Sequence, residues 1–380
     1  MPGGALIERM SKKSRTRVSP LRANGSDARR ALPIPFHGAQ ALPSVRVDSY
    51  NLDVTYEGTR LAALTNKHAL KGFLDKWRKV ARLSGADAFG TRRSAAITKK
   101  ELDAALASED YDARTIVHGT IEDFSGALAL LVERLLAVPE WRHTECVVVG
   151  GGLRASVTGE LIIRRARALL NARGVRAELR PIHSRPHDAA LIGAAHLVPS
   201  WMLAGHDAIL AADIGGTNIR VGIVRLDLIK DHGLANARVW KRFLWRHADH
   251  EIGREALVRG MIRAMRKLIR KSEAKGLRLA PYIGIACPGF IGPDGSIGSG
   301  SEVLPGNWQS PRFNLPARIL EDIPAIGGRE TLVLLHNDAV VQGLSEIPFM
   351  RGCRRWGVLT VGTGLGNARF STPDRLVTGK

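Results

Sequence analysis

The chain has 380 residues, enough for two lobes, and its 44% hydrophobic content supports a sizeable core. With 56 Lys+Arg against 36 Asp+Glu it carries a net charge of +20, which favours polyanions and anionic nucleotides in general without defining a nucleic-acid function. Its cysteines, Cys146, Cys287 and Cys353, are far apart and form no C-x-x-C pair, so neither a disulfide framework nor a structural zinc site is suggested and a reducing cytoplasm is expected.

Residues 1–46 mix Lys12, Lys13, Arg15, Arg17, Arg22, Arg29 and Arg30 with scattered Pro and Gly, which predicts a basic, loosely attached tail. The opening residues do not read as a secretory leader. Base-stacking aromatics are not interleaved with the basic residues along the sequence, so nucleic acid is not expected as a partner. Residues 45–54 alternate near period two and predict a strand; residues 61–83 have helical spacing. Between Asn66 and Arg114 no motif stands out.

From Ile121 the pattern is clearer. Asp123 or Ser125 is placed to cap a helix whose apolar face runs through Leu128, Leu131, Val132 and Leu135 and which stops at Pro139. A strand over residues 145–150 then runs into Gly151 and Gly152, followed by a helix over 157–172, a strand over 176–181 and a small-residue helix over 189–197. This is a β-α-β crossover with Gly150, Gly151 and Gly152 at the carboxyl end of its first strand. Backbone there can lie flat against a nucleotide, although close helix-to-strand packing selects the same glycines. The most membrane-like stretch, residues 189–210, is broken by His196, Pro199, His206 and Asp207, so a buried helix and a loop are expected and no membrane span.

Residues 211–224, AADIGGTNIRVGIV, predict a β-hairpin whose tip carries Gly215, Gly216, Thr217 and Asn218. Bare backbone N–H groups and a hydroxyl at such a tip suit phosphate oxygens, and Asp213 beside them could hold a hydrated Mg²⁺. An ordinary hairpin turn would read the same way. An amphipathic helix over 255–275 follows, then a strand over 282–286 that delivers the glycine-rich CPGFIGPDGSIGSGSEVLPGNW. The apolar strand 332–335 ends in His336-Asn337-Asp338 ahead of a helix. That puts an acid where it can be held rigidly over a pocket, or where it merely caps the helix. Last, a strand over 356–361 leads into GTGLGN, a second turn of phosphate-binding character with Gly362, Thr363, Gly364 and Gly366.

Taken together, DIGGTN, the CPG loop with LPGNW, HNDA, GTGLGN and VVVGGG resemble the motif set of the ROK and glucokinase-type sugar kinases, within the actin/hexokinase/heat-shock ATPase superfamily. The resemblance spans roughly residues 121–370. It implies an α/β, two-lobed actin-like ATPase fold of ribonuclease H-like type, and a cytoplasmic kinase that uses ATP and Mg²⁺ to phosphorylate a hexose. By that resemblance residues 213–218 are the first phosphate loop and 362–367 the second, while 150–153 lie on the adenosine side. Asp338 resembles the catalytic base, Asn337 a sugar-hydroxyl ligand and Asn307 a second residue of the sugar pocket; Asp213 would hold Mg²⁺ through water. A sugar and a nucleotide are the implied partners, and the resemblance leaves room for a homodimer.

The motif order departs from the family, because VVVGGG precedes DIGGTN and the chain ends soon after GTGLGN. The sequence therefore resembles a circular permutant. Residues 47–204 would form the larger lobe and 205–348 the smaller, with 349–380 returning to the larger one. The strand at 356–361 should then share a sheet with that at 145–150. The family's His/Cys zinc motif and sugar-contacting glutamate are not found, which leaves His118, Glu122 or residues of 45–114 as substitutes. Two other readings are a sugar-sensing transcriptional regulator, for which no helix-turn-helix is evident, and a non-catalytic binding protein.

Overall fold

The structure, a computed structural model, describes residues 36–228 and 233–373. Its frame is two five-stranded mixed sheets. One contains β1 (Arg46–Tyr50), β2 (Cys146–Gly150) and β3 (Glu178–Pro181); the other contains β4 (Ala208–Ile214), β5 (Ile219–Arg225), β6 (Arg238–Trp245), β7 (Leu279–Cys287) and β8 (Leu332–Asn337). The first sheet is completed from the end of the chain by β9 (Arg355–Val361) and β10 (Leu365–Ser371).

The two sheets share one plan. In the second, β4, β5 and β6 form an antiparallel meander, and β7 and then β8 add in parallel beside β4, giving the order β8-β7-β4-β5-β6. In the first, β9, β10 and β1 form the meander, and β2 and then β3 add in parallel beside β9, giving β1-β10-β9-β2-β3. The third meander strand therefore comes from the opposite end of the chain. The strands expected to share a sheet do so, with Trp356 opposite Cys146 and Thr360 opposite Gly150. Strands such as β2 and β4 are buried along their whole length, which is why they read as continuous apolar runs rather than as alternation.

Three hydrophobic clusters separate the layers. Between the sheets lie α5 (Ala189–Gly193) and α8 (Asp338–Leu344), whose Leu191, Val340 and Val341 meet Val148 and Val358 of one sheet and Ile209 and Ala211 of the other. The two helices approach closely because Gly193 has no side chain, and a Cβ there would lie 1.8 Å from the Val341 carbonyl oxygen. Outside the first sheet pack α1 (Lys67–Leu83), α2 (Lys99–Ala107), α3 (Tyr111–Ala137) and α4 (Val157–Ala172). Outside the second pack α6 (Arg254–Glu273) and α7 (Leu315–Asp322).

Three expectations are corrected. Helix α3 starts a dozen residues before Asp123 and is capped by Asp110, whose side chain accepts the Ala113 N–H. Ser125 lies inside the helix and donates to the Ile121 carbonyl, and Asp123 accepts from the Trp77 indole. Residues 36–46, assigned from composition to the loose tail, are packed: Ala39, Leu42 and Val45 are buried, Gly38 donates to the Leu335 carbonyl, and His336 Nε2 lies 3.1 Å from the Ala39 carbonyl. Apolar side chains and free backbone beside β8 outweigh the local Pro and Gly content; residues 1–35 of the expected tail lie outside the described residues. Finally, among the described residues the helix long and apolar enough to cross a membrane is α3, not the 189–210 stretch, and much of it is buried inside the protein.

Candidate functional site

Three parallel strands, β4, β7 and β8, end side by side, with Asp213 opposite Ala286 and Cys287 opposite Asn337. The carboxyl ends of adjacent parallel strands are where open α/β sheets gather polar groups. Asp213 is buried, and its Oδ2 accepts a 2.7 Å bond from Arg220, its cross-strand partner in the hairpin. Oδ1 has no hydrogen bond among the described residues. One step along the edge, Asp338 is the first residue of α8 and is only partly exposed. Burial, and then the charge of Asp213, push its carboxyl up to about 7. A carboxyl that titrates near neutrality is suited to exchanging a proton there.

Two glycine turns converge on this acidic edge. The first, at the tip of the β4–β5 hairpin, is closed by Gly215 N–H on the Asn218 carbonyl at 3.0 Å. It is braced from outside by His247 Nε2, 2.8 Å from the Gly215 carbonyl, and by Ala248 N–H on the Thr217 carbonyl. The second joins β9 to β10 and is closed by Gly362 N–H on the Gly364 carbonyl at 2.9 Å. The turns touch, with Thr217 Oγ1 2.8 Å from Thr363 Oγ1. A Cβ at Gly364 would meet no protein atom within 4 Å, and one at Gly362 only the Gly364 carbonyl at 3.9 Å. Protein packing gives no reason for glycine at either position; a ligand drawn against the backbone would.

Other glycines of the second turn and of the 150–152 turn sit against protein atoms. A Cβ at Gly366 would lie 2.5 Å from Thr360 Oγ1 and 3.0 Å from the Ala339 Cβ, so its absence lets β10 approach α8 directly behind Asp338. Gly151, at φ +75°, would drive a Cβ into the Val361 backbone at 2.6 Å. A Cβ at Gly150 would meet the Ile182 side chain at 3.2 Å, and the Gly152 carbonyl accepts from the Lys99 ammonium. Close packing thus explains Gly151 and Gly366, both assigned from sequence to the nucleotide, while the 150–152 turn still lies against the start of the second loop.

Asn337 differs from its expected part. It is fully buried, its Oδ1 accepts the Ala339 and Val340 N–H groups as the helix cap, and its Nδ2 donates to the Gly289 carbonyl at 3.1 Å and to Asn51 Oδ1 at 3.3 Å. Both oxygen lone pairs and both amide protons are in use, so none is left for a sugar hydroxyl. Asn337 is therefore the cap; Asp338 Oδ1 shares the Ala339 N–H at 2.8 Å, and its Oδ2 has no hydrogen bond among the described residues. Asn307 is exposed; its Oδ1 accepts Gln309 N–H and its carbonyl is held by Arg254 at the start of α6. His118 and Glu122 share Arg165, a residue of α4, on the outer helical layer.

Several site residues went unread in the sequence. Asn51, at φ 54°, leaves β1 in the left-handed conformation that Asn tolerates. It bridges the sheets, donating its N–H to the Asn367 carbonyl and accepting from Asn337. The turn-favouring asparagine just after an alternating strand is the signal that marks it. On the other flank Lys67 N–H donates to the Gly362 carbonyl, and burial together with the charge of Lys67 lowers the Lys99 pKa, so positive charge gathers beside the second turn. Glu302 accepts from Gly300 N–H and from Gln309 in the loop over the hairpin tip.

No protein-family model and no curated protein matches the sequence. Among solved structures, the chain is similar to a "putative sugar kinase" of Cytophaga hutchinsonii at 18% identity and TM-score 0.33, covering 43% of this chain and 48% of that one. It is similar to a "putative N-acetylmannosamine kinase" of Listeria monocytogenes at 21% identity and TM-score 0.31, covering 46% and 52%. It is also similar to an exopolyphosphatase of Cytophaga hutchinsonii at 14% identity and TM-score 0.21, covering 46% and 51%. The chain spans about half the length of the structures it matches. Scores this low do not establish a shared fold, and the functional reading rests on the site itself.

Proposed function

We propose that the protein is a sugar kinase that transfers a phosphoryl group from ATP to a sugar hydroxyl, with Asp338 as general base. The observation that carries this reading is the meeting of the Thr217 and Thr363 turns next to a carboxyl whose pKa stands near 7. Asp338 accepts the proton of the attacking hydroxyl as its oxygen bonds to phosphorus. The N–H groups of Gly216, Thr217, Thr363 and Gly364, with the Thr217 and Thr363 hydroxyls, hold phosphoryl oxygens, while the Gly215 and Gly362 N–H groups close the turns; the positive charge of Lys67 and Lys99 aids them. Asp213 offers its free Oδ1 to a water of hydrated Mg²⁺, in keeping with its other oxygen being held by Arg220. When bound, Mg²⁺·ATP supplies the phosphoryl group and neutralises charge on the leaving diphosphate.

The same reading makes each sheet the heart of one lobe of an actin-like pair, residues 47–204 with 349–380 on one side and 205–348 on the other. A circular permutation is supported by the third meander strand of the first sheet entering from the amino-terminal side. Glucose or a related hexose is the first substrate to try, an N-acetylated amino sugar the next. A coupled ADP-release assay across a hexose panel tests the proposal, with Asp338→Ala expected to lose on the order of 10²-fold or more in kcat while nucleotide affinity holds. Near-normal turnover by that variant, or no turnover on any sugar, overturns it.

A further inference from the structure

We infer that the groove between the edge strand β6 and helix α6, where Phe243 and Trp245 lie among Lys241, Arg263, Lys267 and Lys271, binds single-stranded nucleic acid. The groove has a volume of about 330 Å³ and no acidic residue in its lining. Among the described residues no carboxylate pairs with Lys241, Arg263, Lys267 or Lys271, whereas the neighbouring Arg242 is neutralised by Asp188 and Arg266 by Asp322. Four uncompensated cations around one concavity call for a polyanion. The sequence hides this arrangement because the aromatics belong to one element and most of the cations to another.

The aromatics narrow the choice of polyanion. Phe243 is 38% exposed, so part of its ring is accessible from the groove that it lines. Trp245 lies two residues on, hence on the same face of the strand, about 7 Å along it. Its ring packs over Gly260, where a Cβ would come within 2.4 Å, so the indole is seated on the helix while remaining partly exposed. On the helical wall Arg263, Lys267 and Lys271 recur every fourth residue, about 6 Å apart. Ring faces in sequence beside a regular file of cations are the two elements of a single-strand platform, bases on the rings and phosphates on the cations. Polyphosphate and acidic peptides would use the charge and leave the rings without a role.

The test uses the full chain and a fluorescein-labelled oligo-dT of on the order of 12 nucleotides, with inorganic polyphosphate as competitor and anisotropy followed across a KCl series. Phe243→Ala should weaken oligo-dT at least about fivefold and leave polyphosphate competition unchanged. Lys267→Gln should reduce the salt slope by about 0.7, while Lys100→Gln, an exposed lysine on α2, should not. The basic amino-terminal residues contribute equally to every variant, so the differences report the groove. Quenching of tryptophan fluorescence by oligo-dT, lost in Trp245→Leu, supplies a readout independent of charge. Equal effects of Lys267→Gln and Lys100→Gln, or Phe243→Ala binding oligo-dT as well as the parent, overturns the inference in favour of diffuse attraction or a polyphosphate site.

Discussion

The Thr217 and Thr363 hydroxyls, 146 residues apart in the chain, lie 2.8 Å from each other and form a direct contact between a turn of one sheet and a turn of the other. A phosphate entering between the turns must replace that bond with two bonds to itself. Each hydroxyl then contributes a hydrogen bond to a charged acceptor, so Thr217→Val or Thr363→Val should lower kcat/KM for the nucleotide about 10- to 100-fold. The double variant should lose less than the product of the two, because both groups act on one ligand. Steady-state kinetics on the four proteins measures the coupling, and strict additivity with small single effects would show that the contact is incidental.

The Asp338 carboxyl must be ionised to accept a proton, and burial with the Asp213 charge holds its pKa at about 7. Turnover should therefore rise with pH through about 7, and Asp338→Asn should abolish that limb together with the activity. The same displacement acts on stability. A carboxyl whose pKa is raised on folding favours the folded state most below its ordinary value of 3.8, and that contribution is lost as pH rises through about 7. Asp338→Asn, neutral at all pH, should then be the more stable protein at pH 8 by about 2 kcal/mol, after allowing for partial exposure, and should lose the advantage near pH 4. Thermal melts across pH measure this, and an equal or lower Tm for the variant at pH 8 would show that the ionised carboxylate is well accommodated.

What could be read from the sequence was whatever is encoded locally. The hairpin carrying Asp213, the helix Val157–Ala172 and the strand leading to Asp338 follow from periodicity, turn residues and caps a few positions away. Contacts between distant residues left no such trace. Asn51 meets Asn337 across 286 positions and His37 accepts the Leu335 N–H across 298, so the sequence shows only a tail up to residue 46 and a strand over 45–54, with no sign that both tie the sheets together beside the site. The motif resemblance implies a sugar ligand at Asn337, and only the four partners around its amide show a clamp.

That clamp makes its own prediction. Asn337→Ala removes a helix cap and leaves the Gly289 carbonyl and the Asn51 amide short of a buried partner, a loss of about 2–4 kcal/mol that urea unfolding would register. Asn51→Gly should be much milder, since glycine keeps the φ of 54° and only the single 3.3 Å bond is lost. Asn51→Val should be worse than Asn51→Gly, because a β-branched side chain resists that conformation. If the Val and Gly variants unfold at the same urea concentration, the conformation of Asn51 is not what fixes the sheets together here.

Gly364 and Gly366 stand two residues apart in the same motif yet face different surroundings. An added methyl at Gly364 meets nothing in the protein, so Gly364→Ala should change stability by no more than about 0.5 kcal/mol. The methyl would occupy the space in which backbone and phosphate approach each other, so nucleotide affinity should fall at least about tenfold, a cost of about 1.4 kcal/mol. Gly366→Ala should do the reverse in the first instance. Its methyl must displace Thr360 Oγ1 from 2.5 Å and crowd Ala339, a strain of about 1–3 kcal/mol seen as a lower Tm. Because Ala339 follows Asp338, that displacement would also move the base, so kcat should drop while nucleotide binding, measured by calorimetry, is largely kept. An affinity loss confined to Gly364→Ala and a Tm loss confined to Gly366→Ala would assign ligand approach to one glycine and helix approach to the other. The opposite pattern would mean that the nucleotide does not lie over this turn.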